Sequence, residues 1–139
     1  MEKYKFVFNE KEYELGEDNC SYMIIDEENP VSGIELEDIL ELLNQGQEVE
    51  FGVEYYDELC EECLAGKEEK AKNFKFLEFH FFIFTKKGEY VIANISKEYE
   101  NLSYNKLLKN GKVDNSYIVS IIVCFNCGTY SVEIEQYEI

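Results

Sequence analysis

Two Cys-x-x-Cys pairs, Cys60-Glu61-Glu62-Cys63 and Cys124-Phe125-Asn126-Cys127, stand 60 residues apart in this chain. Thiolates are the soft donors that Zn2+ prefers, and a structural zinc site takes four ligands in a tetrahedron. Two residues between ligands let one tight turn aim both sulfurs at a single ion. The pairs therefore predict one structural Zn2+ site, with Cys60, Cys63, Cys124 and Cys127 as ligands, stapling the two halves of the chain. Cys124–Gly128 reads as a zinc knuckle at a hairpin tip, because Gly128 permits positive φ and lets backbone N–H groups approach the sulfurs. The first pair is less regular. Its glycine comes later, at Gly66, and it reads as a turn that opens a helix. The gap is longer than in compact zinc ribbons, so folded sheet has to fill it.

Other chemistries compete for the same residues. One pair could serve as a redox dithiol, but that motif belongs beside a βαβ pattern, which is absent. Asp57, Glu58, Glu61 and Glu62 crowd the first pair with negative charge. They should raise its thiol pKa values and oppose redox chemistry, while attracting a cation. A catalytic zinc keeps one position open for water, and four thiolates close it. A deaminase-type site would need a Pro-Cys-x-x-Cys, and neither pair follows a proline. Cys20 reads as a buried free thiol. His80, the one histidine, shares a strand face with Glu78. The pair could act as acid and base or as spare ligands, and the expectation is a core histidine hydrogen-bonded to that carboxylate. Neither a phosphate-binding loop nor a Gly-x-Gly-x-x-Gly fingerprint occurs.

Charge narrows the partners. The chain carries −17 over 139 residues and contains no arginine. Residues 1–70 hold 5 lysines against 22 Asp and Glu, a balance of −17, whereas residues 71–139 hold eight of each sign. Nucleic acid is excluded as a direct ligand, because phosphate contacts need a basic footprint. The acidic half is a solvated face, or a surface for a basic protein that residues 1–70 would capture as a polyanion mimic. Five cysteines without a signal segment indicate reduced thiols and a cytoplasmic location. The longest apolar stretch, Phe74–Phe84, is interrupted by charge and too short for a membrane helix.

The positioning elements follow from periodicity. Tyr4–Asn9 and Lys11–Leu15 pattern as strands about an Asn9-Glu10 turn, and Ser21–Ile25 as a third strand. Leu36, Ile39, Leu40 and Leu43 mark one helix face, with Ser32 and Glu35 as a capping box and Asn44-Gln45-Gly46 as the stop. Val49–Tyr55 alternates as a half-buried strand leading into the first pair. Gly66–Asn73 is a charged connector or short helix. Phe74–Phe84 is a central strand covered on both faces, and Tyr90–Ile95 returns after a Thr85–Glu89 loop. Ser103–Lys109 is a helix capped by Ser103. Ser116–Cys124 is a buried strand reaching the second pair, and Thr129–Tyr137 is a last strand with one wet face. The prediction is a single α+β domain, residues 1–139, with a mostly antiparallel sheet and two short helices. The two halves share this loose pattern but no residue repeat. The abundant tyrosines serve to pack strands.

The segments Leu77-Glu78-Phe79-His80-Phe81, Phe84-Thr85-Lys86-Lys87-Gly88-Glu89-Tyr90 and Cys124–Gly128 resemble those of a small uncharacterised bacterial family of about this length, known from anaerobic Firmicutes. The resemblance spans nearly the whole chain. It implies a bacterial cytoplasmic protein and a domain of unknown function, with no implied activity. The sequence alone supports a zinc-stabilised binding or accessory domain, non-enzymatic, with a thiol redox protein or an acidic decoy as the alternatives.

Overall fold

A computed structural model describes residues 2–47 and 49–138. Eight strands and two helices follow the predicted order. They are β1 (Tyr4–Phe8), β2 (Lys11–Leu15), β3 (Cys20–Ile25), α1 (Leu36–Gln45), β4 (Gly52–Tyr56), β5 (Phe74–Lys86), β6 (Glu89–Ala93), α2 (Tyr104–Lys109), β7 (Asn115–Cys124) and β8 (Tyr130–Gln136). The main sheet runs β3-β8-β7-β5-β4, with β6 paired to the far end of β5, and β1-β2 form a separate hairpin. Every pairing is antiparallel except β3 on β8. The expected α+β class with a mostly antiparallel sheet is present.

Two hairpins close with two-residue turns whose central residues lie at positive φ, Asn9-Glu10 and Lys87-Gly88. Such turns match the right-handed twist of the flanking strands. β5 therefore continues through Thr85 and Lys86, and the predicted five-residue loop contracts to two residues. The alternation expected for Val49–Tyr55 rests partly on Glu48, which lies outside the described residues. The strand itself starts at Gly52, with Phe51 buried ahead of it.

α1 forms where its i, i+3, i+4, i+7 stripe predicts, and Ile39, Leu40, Leu42 and Leu43 are buried. Its start differs from the expected capping box. The Glu35 N–H donates to Asp38 Oδ2 at 2.8 Å, so Glu35 begins the helix. Ser32 is occupied elsewhere, because its backbone bridges to the β5–β6 hairpin through Gly88 and Tyr90. The predicted Ser103 cap on α2 is observed, accepting from the Lys106 N–H.

One face of the sheet, bearing Leu77, Phe81, Val119, Ile121, Val123, Val132 and Ile134, packs with α1 and the β1–β2 hairpin into the main core. The opposite face is covered only at one end, where Phe84, Leu107 and Val113 form a smaller cluster. β5 is thus not covered on both sides along its length. His80 falls on the uncovered part, which corrects its expected core placement: its side chain is 45% exposed. Its Nδ1 lies 2.8 Å from Ser120 Oγ, and its Nε2 is 3.9 Å from Glu78 Oε1. Among the described residues, no helix is long and apolar enough to cross a membrane.

Candidate metal centre

The last residue of β7 is Cys124, and β8 resumes at Tyr130, so the second pair forms the tip of a hairpin. Backbone bonds from Cys124 N to Thr129 O (2.8 Å) and from Gly128 N to Cys124 O (3.0 Å) close the turn. Gly128 takes φ +82°, as its glycine implied. The first pair makes the same turn. Leu64 N donates to Cys60 O at 2.8 Å, and Leu64 occupies the Gly128 position at φ +55°. The position that Gly128 fills in the second knuckle is therefore a leucine here, held in a region that costs an L-residue about 1–2 kcal/mol.

No helix follows this first knuckle. Residues 65–70 form successive turns, with Gly66 and Lys70 at positive φ (+91° and +52°) breaking any helical run. Of the two readings of Gly66–Asn73, the charged connector is the one that forms, a loop that returns directly to β5.

The fold brings all four predicted cysteines together. Their sulfurs lie within 4.8 Å of one another. Two approaches bridge the knuckles, Cys60 to Cys127 and Cys63 to Cys124, each 3.7 Å. A disulfide needs about 2.05 Å. A tetrahedron with metal–sulfur bonds of about 2.3 Å has an edge near 3.8 Å. The sulfur spacing fits four ligands about one ion, and the cluster could hold a metal.

Backbone N–H groups of Glu62 and Cys63 point at the Cys60 sulfur, and those of Asn126 and Cys127 at the Cys124 sulfur. The Asn126 side-chain amide crosses between knuckles to the Cys63 sulfur at 3.5 Å. Burial pushes the Cys124 thiol up to about 12 despite its N–H donors. At Cys63 burial also works upward, but the Asn126 amide, the Ala65 N–H and the Cys124 and Cys127 sulfurs outweigh it, holding that thiol at about 7. Cys60 is raised, chiefly by burial.

Residues outside the cysteine motifs anchor the second knuckle. Lys11 Nζ donates to the carbonyls of Phe125 (3.0 Å) and Asn126 (2.6 Å), and the Tyr13 hydroxyl donates to Phe125 O at 2.6 Å. The Asn19 amide donates to Gly128 O at 3.1 Å. The Lys75 ammonium sits 3.8 Å from the Phe125 ring centroid, a cation–π contact. Nothing in the motif spacing signalled these supports, because Lys11 and Tyr13 come from β2, Asn19 from the turn after it and Lys75 from β5. Cys20 stands apart as a half-buried free thiol, 3.4 Å from Tyr22 O, with its pKa raised by burial.

No curated protein and no solved structure matches this chain. Residues 4–139 match the model of a family described as protein of unknown function, DUF3785. As the resemblance implied, that description carries no activity. With the match spanning the hairpin, the sheet and both knuckles, the chain belongs to the DUF3785 family.

Proposed function

We propose that the chain is a zinc-stabilised α+β binding or accessory domain, non-enzymatic and housed in the reducing cytoplasm, with Cys60, Cys63, Cys124 and Cys127 as the ligands. The observation that carries this reading is the pair of 3.7 Å sulfur contacts between knuckles, the edge length of a thiolate tetrahedron. Zinc when bound supplies a cross-link between the loop before β5 and the β7–β8 hairpin, not a reactive water, since four thiolates leave no open position. The chain's own groups prepare the site. Knuckle N–H groups offset the accumulated thiolate charge, and Lys11 and Tyr13 fix the Phe125 carbonyl so that the second turn is in place beforehand.

Native mass spectrometry of protein purified without a metal-affinity tag tests this, with zinc measured independently. One zinc per chain is expected, released on acidification as the thiolates take up protons. Cys127→Ser should lose the metal and lower the thermal midpoint, and an unchanged metal content in that variant would end the proposal. Iron in place of zinc would overturn the choice of metal, because a tetrahedral four-sulfur site also suits iron.

A redox reading has one observation in its favour, the depressed Cys63 thiol. A metal ligand needs the same thiolate, and Cys63 lies 3.7 Å from Cys124 of the opposite knuckle, an approach that a dithiol confined to one Cys-x-x-Cys does not require. A metal-free chain lighter by the mass of two or four hydrogens would put the redox reading first.

A further inference from the structure

The uncovered face of the main sheet is overhung at one end by the first-knuckle loop. The strand registers place Tyr22 of β3, Glu133 of β8, Ile122 of β7, Phe76 of β5 and Tyr56 of β4 on that same side. Between these residues and the loop lies a groove of about 440 Å³, within the range of ligand-binding clefts. Glu58, Glu61 and Glu62 come down from the loop and Glu133 rises from the sheet, and no lysine lines the groove. Among the described residues the ion pairs are Lys3 and Lys5 with Glu14 and His80 with Glu78, so none of the four groove carboxylates has a cationic partner. Burial, with Glu135 and Glu78 nearby, already disfavours the charged form of Glu133. The Tyr56 hydroxyl donates to Glu78, which fixes its ring as a wall of the groove. Tyr22 and Ile24, each about half exposed at 47% and 49%, extend the apolar surface to the sheet edge.

The sign of the charge selects the occupant. A second copy of this chain would bring another −17 and no arginine, and nucleic acid would meet the same repulsion. We propose that the groove docks a lysine-bearing segment of a basic protein partner. Its aliphatic stems lie along Tyr22, Tyr56 and Phe76, and its ammonium groups meet Glu58, Glu61, Glu62 and Glu133. Aromatic rings attract an ammonium through their faces and pack against its methylene stem, and carboxylates complete its coordination. This inference rests on the binding-domain reading and on the loop keeping its place, not on which metal the thiols hold.

The test titrates the full chain, in its purified metal state, into fluorescein-labelled octalysine and follows anisotropy. Glu58→Gln, Glu61→Gln and Glu62→Gln combined should weaken binding roughly tenfold. A control combining Glu27→Gln, Glu28→Gln and Glu37→Gln, the same charge change on exposed residues away from the groove, should weaken it less than about twofold. Equal losses in both would reduce the effect to bulk charge and overturn the site. Glu133→Gln lies on the sheet and outside the knuckle, so it cannot act by dislodging the loop. A loss of about threefold is expected there, and full retention would overturn the proposal. Tyr22→Ala should cost about two- to fivefold. Spermine displacing octalysine at equal concentration would show a small-polyamine site and overturn peptide docking. Metal content measured on each variant separates failure of the groove from failure of the metal centre.

Discussion

The two knuckles share a backbone and differ in what holds it. Each closes by an N–H of the fifth residue bonding to the carbonyl of the first cysteine, and each puts that fifth residue at positive φ. The second is built into the sheet. It caps β7 and β8, Cys124 is buried, and Lys11, Tyr13 and Asn19 from the β1–β2 region bind its carbonyls. The first rides on turns between β4 and β5, with Cys60 and Cys63 half exposed. Its cross-chain ties run largely through sulfur: Cys60 to Cys127, Cys63 to Cys124, and Asn126 to Cys63. One turn is therefore fixed by the fold, and the other, on the proposed reading, by the metal its thiols would hold.

Removing the proposed metal should separate the two most sharply. Chelation, or Cys60→Ser, is expected to raise amide hydrogen exchange across residues 57–73 by roughly a hundredfold or more, while amides of β7 and β8 change far less. Hydrogen exchange resolved by peptide would register this. Equal loosening of both knuckles would break the comparison and mean that the sheet does not preorganise the second.

Thiol reactivity in the metal-free chain gives the next contrast. Cys63, held at about 7, should alkylate at neutral pH at least about tenfold faster than Cys124, pushed up to about 12 and buried. The linked stabilities have opposite signs. The Cys63 contribution is present above the ordinary thiol value and is lost as pH falls through about 7. The Cys124 contribution is present below the ordinary value and is lost as pH climbs toward 12. Iodoacetamide mapping across pH measures the Cys63 midpoint. A midpoint at the ordinary thiol value would mean that the knuckles part without metal, since much of the depression comes from Asn126 and the facing sulfurs.

Tyr13→Phe probes the second knuckle alone. It removes a 2.6 Å donor to Phe125 O from a residue that is otherwise buried. A loss of about 1 kcal/mol is expected, or roughly 3 °C in thermal midpoint for a chain this size. Metal affinity should fall by less than tenfold, because Lys11 still serves the same carbonyl. No change in either quantity would show that the hairpin merely touches the knuckle.

The legibility of the sequence follows the same division. The second knuckle was readable because its cysteines, its glycine and its two flanking apolar strands are all local signals. The order of strands and helices was readable from period alone. The first knuckle is less legible because its turn has Leu64 where the second has Gly128, and a leucine carries no signal for positive φ. Charge and Lys/Glu content leave Gly66–Asn73 open between a connector and a short helix, and the connector forms because Gly66 and Lys70 leave the helical region. His80 was placed in the core because a strand this apolar suggests cover on both sides. Whether a helix lies over a given stretch of sheet is decided by tertiary packing, and only the Phe82–Phe84 end received one. Lys11 and Tyr13 could not be tied to Phe125 from a sequence separation of more than 110 residues.

The finest test exchanges the residue that distinguishes the two turns. Leu64 pays for its positive φ without packing in return, since it is 43% exposed and outside the core clusters. Leu64→Gly removes about 1–2 kcal/mol of backbone strain. It also adds about 0.4–1 kcal/mol of unfolded-chain entropy. The net expectation is a gain near 0.8 kcal/mol, or about a fourfold tighter metal affinity, read by competition with a chromophoric chelator. Gly128→Ala should move the other way by a similar amount. Its added Cβ would sit at ordinary contact distance from Tyr13, 3.8 Å, so only the φ of +82° opposes it. If Leu64→Gly instead weakens metal binding, the leucine side chain must hold the loop against the sheet. The first knuckle would then have a support of its own, and the contrast with the second would narrow to one of degree.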